Sequence, residues 1–173
     1  IAKINDMIQR IQTVYLLIAS ILLALAAYFP LIEFQIEVSE FVGQTSIPAY
    51  TQNAHLHAFS VQLCDQTGTW TKLYTIWSLG IATVIAAIVD FVIIFLYKNR
   101  KLQIKTAHYS FLVKVALLAA IGYFTYIMQG VDVTKTIPQI GTLFIVIAMI
   151  FDWLAVKGIR KDEALVRSID RIR

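Results

Sequence analysis

Three ionisable residues, Asp90, Lys114 and Asp152, stand inside stretches that are otherwise apolar enough to lie in a lipid bilayer. A charge at the centre of a membrane helix costs about 2.5–3.5 kcal/mol on insertion scales, so such residues are expected to pair. Their depths match: counted from the inner ends of their apolar stretches at 97, 109 and 157, Asp90 is seven residues in, Lys114 five and Asp152 five. At a rise of ~1.5 Å per residue, that places all three roughly 7–11 Å below one membrane surface. Asp90 shares a helical stripe with Ala86, Ala82 and Ser78, and Asp152 with Ala148 and Gly141, so both carboxylates fall on small-residue faces where membrane helices approach closely. The chemistry open to this set is a proton or ion relay, or a polar lock that fixes one helix against another. The lock is the preferred reading, because the outward stretches 81–85 and 121–127 carry only Thr83, Thr125 and tyrosines, and no polar ladder leads away.

Other residues of reactive type are fewer. His55 and His57 are spaced to share one face of a strand, with Cys64 nearby, but a zinc site needs three or four ligands and no ordered ligand spacing accompanies them. Glu33, Glu37 and Glu40 read as solvated strand positions. No Gly-rich phosphate loop and no nucleophile motif is present, so no catalytic residue, cofactor or metal is expected. Haem does not fit, since His55, His57 and His108 all fall outside the apolar stretches. The C-terminal residues 158–173 read as a basic amphipathic helix with Leu165, Ile169 and Ile172 as its apolar stripe and Arg160, Lys161, Arg167 and Arg171 as its charges. Such a helix docks on anionic lipid or on a partner protein. Residues 7–12 are mildly amphipathic and are placed to pack beside it.

The elements that must position these residues follow from composition. Of 173 residues, 58% are hydrophobic and 15% charged, and mean hydropathy is +0.70. An ordinary soluble domain is roughly 45–50% apolar and 25% charged. Four apolar runs reach the ~20 residues a membrane helix needs, at 13–32, 73–97, 109–129 and 137–157. The expected fold is an all-α membrane protein, a four-transmembrane-helix bundle in one integral domain, with a small β-containing extracytoplasmic loop at 33–72.

Four spans put both termini on one side. Twelve of the fifteen Lys and Arg residues fall on that side, against Lys72 and Lys135 on the other and Lys114 within a span, which makes the shared side cytoplasmic. The net charge of +4 is explained by this asymmetry and points to no nucleic acid. A signal peptide ending near Ala24-Leu25-Ala26 is the competing reading of the first run, but that run continues to Leu31-Ile32. Met7 is a candidate natural start. The lone Cys64 allows no internal disulfide.

In the outer loop, residues 33–41 and 59–63 alternate apolar and polar, the period of a half-buried strand. Thr136 is expected to cap the fourth helix and Pro138 to sit in its first turn, after a tight turn over 130–135.

The opening 7–16 (Met7-Ile8-Gln9-Arg10-Ile11-Gln12-Thr13-Val14-Tyr15-Leu16) and the closing 158–171 (Gly158-Ile159-Arg160-Lys161-Asp162-Glu163 through Ser168-Ile169-Asp170-Arg171) resemble a family of small four-span inner-membrane proteins from Bacteroidota, a domain of unknown function. The resemblance spans nearly the whole chain from Met7. It implies a multi-pass topology in a Gram-negative inner membrane and supplies no activity, cofactor or catalytic residue. The function expected is a non-enzymatic accessory or scaffolding subunit, with the bilayer and other inner-membrane proteins as partners. The alternative is a small homo-oligomeric ion- or proton-coupled transporter or channel using the Asp90, Lys114, Asp152 layer.

Overall fold

The computed structural model describes the backbone of residues 2–38, 41–42, 45–46, 50–65, 67–128 and 133–170, and the side chains of residues 11–37, 51–65, 67–97, 99–128 and 133–164. Four helices carry most of the chain: α1 (Ala2–Tyr28), α2 (Trp77–Phe95), α3 (Arg100–Met128) and α4 (Ile140–Asp170). Each contains a segment long and apolar enough to cross a membrane. Contacts divide the chain into two compact units, one of residues 1–24, 84–116 and 144–173, the other of residues 25–83 and 117–143.

Apart from Asn99, the described residues of the first unit are helical. Its core is formed by Leu16 of α1, Ile93 of α2, Ala107 of α3 and Ala155 and Val156 of α4, with Tyr15, Val89, Ile94 and Ile104 at the fringe. A 3-10 turn over Leu96–Lys98 links α2 to α3. Asn99 then caps α3, its carbonyl accepting from the Gln103 amide at 2.9 Å and its side-chain oxygen from the Leu102 amide at 3.3 Å. Gln103 returns its side-chain amide to the carbonyl of Ile93 at 3.2 Å, satisfying an orphan acceptor at the end of α2. The stretch 158–173, expected as an amphipathic helix, is helical as far as Asp170 and continues α4 without a break. No glycine or proline stops it, and Gly158 faces the Gln12 side chain so closely that a Cβ there would lie 3.0 Å from the glutamine Cγ.

The second unit contains five antiparallel strands in the order β6-β5-β4-β1-β7, where β1 is Ile32–Val38, β4 Tyr50–Leu56, β5 Ser60–Cys64, β6 Trp70–Thr75 and β7 Val133–Pro138. Two short strands, β2 (Phe41–Val42) and β3 (Thr45–Ser46), pair with each other. Alternation does what it should: Ile32, Phe34, Ala54, Leu56 and Val61 are buried on one face, while Glu33, His55 and Gln62 align across the other. The sheet begins where α1 ends, because Pro30 cannot donate to a helix and disfavours helical backbone before it.

Four expectations are corrected here. The fold is not all-α with a strand-bearing first loop alone, since the sheet recruits a strand from between α3 and α4. That strand, β7, occupies residues expected as turn, cap and first helical turn: Thr136 pairs with Phe34 and Pro138 with Ile32. Proline is tolerated there because β7 is an edge strand. The fourth helix instead starts at Ile140, with the Gln139 carbonyl accepting from the Thr142 amide at 3.0 Å. The outer ends of three expected spans are also strand, namely Ile32 in β1, Leu73 in β6 and Ile137 in β7, because β-branched and aliphatic residues satisfy a hydropathy window in either geometry.

A buried Asp–Lys–Asp layer as the candidate functional site

Within the first unit, α2 supplies Asp90, α3 supplies Ser110 and Lys114, and α4 supplies Asp152. All are buried, Lys114 and both aspartates to 0% exposure. The Lys114 ammonium lies 2.9 Å from Asp90 Oδ1 and 2.8 Å from Asp90 Oδ2, donates to the Ser110 hydroxyl at 2.9 Å, and donates to Asp152 Oδ2. Ser110 in turn donates to Asp90 Oδ1. An ammonium has three donors and no acceptor, so three acceptor groups on three helices saturate Lys114. Such pairing is the condition under which a buried charge is tolerated. Lys114 therefore lies between the carboxylates and does not snorkel to a surface.

Ser110 escaped the sequence reading. Its signal was its position, four residues before Lys114 on the same helix, where side chains at i and i+4 meet. Asp90 Oδ2 and Asp152 Oδ1 have no hydrogen-bond partner among the described residues, although Asp90 Oδ2 lies 2.8 Å from the Lys114 ammonium. Asp152 also lines a cavity of about 220 Å³ with Ala107, His108, Phe111, Trp153 and Val156. His108 Nδ1 donates to the Ile104 carbonyl at 2.8 Å, which leaves Nε2 to accept from Arg160 at 2.8 Å.

A second polar contact joins α1 to α4 in the same unit. Gln12 donates to Asp162 Oδ2 at 2.8 Å, and Arg100 stands 3.8 Å from the same oxygen. Gln12, the last residue of the stretch expected beside the C-terminal helix, thus packs on α4; the side chains of residues 2–10 lie outside the described ones. Of the candidate docking residues, Arg160 and Lys161 are exposed on α4. The side chains of Leu165, Arg167 and Ile169, and all of Arg171 and Ile172, lie outside the described residues.

In the second unit, His55 and His57 do not share a strand. β4 ends at Leu56, and His57 enters the turn to β5, its amide donating to the Ser60 carbonyl at 2.8 Å. Their rings are 6.2 Å apart. His55 stacks on Trp70 at 4.2 Å and lies 3.7 Å from Glu33 Oε2, while Glu33 accepts from the Gln139 side chain. Burial lowers the pKa of His55, against the pull of Glu33, and burial lowers that of His57, against its contact with the Tyr28 carbonyl. Among the described residues, no group of three or more His, Cys, Asp or Glu is arranged to hold a metal.

Four helices apolar enough to span a bilayer, with ionisable side chains paired inside them, are consistent with a membrane protein. The chain belongs to the family described as Domain of unknown function (DUF4293), which matches residues 8–172. Comparison with curated proteins finds no match.

Proposed function

We propose that this chain is a non-enzymatic accessory or scaffolding subunit of an inner-membrane complex, a multi-pass four-helix bundle with both termini in the cytoplasm. The observation that carries the reading is the saturated Lys114 ammonium. Its three donors meet Asp90 on α2, Asp152 on α4 and Ser110 on its own helix, which suits a lock that presents a fixed outer surface better than a site that turns over substrate. Two surfaces supply docking capacity. β6 is an edge strand with all six residues exposed, including Trp70 and Leu73, and an unpaired edge accepts a further strand. The basic end of α4, from Arg160 onward, suits anionic lipid or an acidic partner. Twelve Lys and Arg on the inner side support the orientation.

A second reading, a homo-oligomeric ion- or proton-coupled transporter or channel, is favoured by one observation, that Asp152, whose Oδ1 has no hydrogen-bond partner among the described residues, also lines a cavity. Tagging at low copy number, extraction in mild detergent and measurement of the intact particle mass separate the two. The accessory role predicts a reproducible partner set that is lost on truncation after Lys157. A partner-free homo-oligomer with pH-dependent flux that falls in Asp90→Asn and Asp152→Asn overturns it.

A further inference from the structure

We propose that the Asp90–Lys114–Asp152 layer binds one exchangeable proton, and that Asp152 carries it on Oδ1. The inference stands on the geometry of the layer and not on the accessory role. Two carboxylates face one ammonium, so one negative charge is left over if both acids are ionised. All three side chains are fully buried, and an uncompensated carboxylate in such a place takes up a proton.

The geometry selects the acceptor. Without its proton, Lys114 would leave two carboxylates facing no cation and would have one N–H donor fewer for its three acceptors. Asp90 has both oxygens within 2.9 Å of the ammonium, and Oδ1 also accepts from Ser110, so an added O–H there meets donors head-on. Asp152 gives Oδ2 to Lys114; its Oδ1, like Asp90 Oδ2, accepts no hydrogen bond among the described residues, but Asp90 Oδ2 faces the ammonium at 2.8 Å.

Among the described residues, Lys114 is the only cation paired with either carboxylate. From α1, residues 11–24 bring no ionisable group except Tyr15, whose ring packs on Phe151. On α3, His108 has Nδ1 turned to a carbonyl and Nε2 turned to Arg160. On α4, Lys157 sits over the Trp153 ring, 5.1 Å from its centroid, and Arg160 is engaged by His108. The step is proton binding alone: hydronium gives its proton to Oδ1, an O–H bond forms, water leaves, and nothing is oxidised or reduced.

The test is infrared difference spectroscopy on the full chain in lipid nanodiscs at neutral pH, reading the carboxylic acid C=O band and its shift in D2O. The expected result is one such band in the wild type. It moves in Asp152→Glu, stays in place in Asp90→Glu, and disappears in Asp90→Asn, where one acid and one ammonium balance. In Lys114→Met, two acids face no ammonium and the band doubles. A wild-type spectrum without a deuterium-sensitive carboxylic acid band overturns the proposal whatever the variants do. So does a band that Asp90→Glu moves and Asp152→Glu does not.

Discussion

Lys114 shows why a buried cation is better understood by its acceptors than by its charge. Removing one member of a buried charged set strands the others and costs about 3–5 kcal/mol, whereas replacing the whole set by apolar residues of similar size is often neutral. Lys114→Met is therefore expected to unfold more readily than the wild type by that amount, and Lys114→Met with Asp90→Leu and Asp152→Leu to recover most of the loss. Denaturant unfolding in detergent micelles measures both; a triple variant no more stable than the single one would show that the layer does not act as a lock. His55 and His57 carry a prediction of opposite origin. Burial holds both below the ordinary 6.5, so the fold favours the neutral rings. The stability they contribute is complete above about 6.5 and is lost as pH falls through the lowered values, because the unfolded chain binds the protons first. The melting temperature of the wild type is expected to drop between neutral and mildly acidic pH, and the His55→Gln, His57→Gln variant to show a shallower drop. Equal slopes would assign the acid sensitivity to other groups.

At the scale of elements, the start of α4 is fixed by close approach. The Gly141 amide donates to the Pro30 carbonyl at 3.0 Å, and the Thr142 hydroxyl donates to the Leu31 carbonyl at 2.6 Å. A Cβ on Gly141 would stand 2.6 Å from the Pro30 oxygen, and backbone cannot yield as a flexible side chain can. Gly141→Ala is expected to destabilise by about 1–3 kcal/mol, the range for overpacking. Gly122→Ala, with nothing within 4 Å of the added carbon, is expected to leave the melt unchanged or raise it. Circular dichroism melts of the two, side by side, check this; equal losses would mean that the contact at Pro30 is not the cause. This junction also shows where the sequence was legible. Helix interiors and the alternating strands β1 and β5 could be read because one residue type recurs at one period. β7 could not, because Thr136 and Pro138 are good residues for a helix start and equally for an edge strand. Only the pairing of Phe34 with Thr136 decides between them. The layer was legible in its three charges, which stand out against apolar helices. Ser110 was not, since a hydroxyl in such a helix also satisfies itself on a backbone carbonyl, as Thr125 does with Ile121.

At the scale of the whole molecule, the question that decides most is which side of a bilayer each end of the chain faces. On the proposed orientation, twelve Lys and Arg lie inside against two outside, an asymmetry large enough to set topology without help from any one residue. The chain brings its own probe, for Cys64 is its single cysteine, half-exposed in β5. A membrane-impermeant maleimide added to cells with a permeabilised outer membrane is expected to label the wild type at Cys64. A Cys64→Ser, Ser168→Cys variant moves the thiol to the far end of α4 and is expected to react only after the inner membrane is broken. Reversed labelling would put the basic end of α4 outside, remove anionic inner-leaflet lipid and cytoplasmic proteins as its partners, and leave the β6 edge facing the cytoplasm. Labelling of both without disruption would mean that the four apolar helices do not seal the chain across a membrane. The same pair of cysteines thus tests the orientation from two positions far apart in the sequence, and a single-sided result is required before partners for either surface are sought.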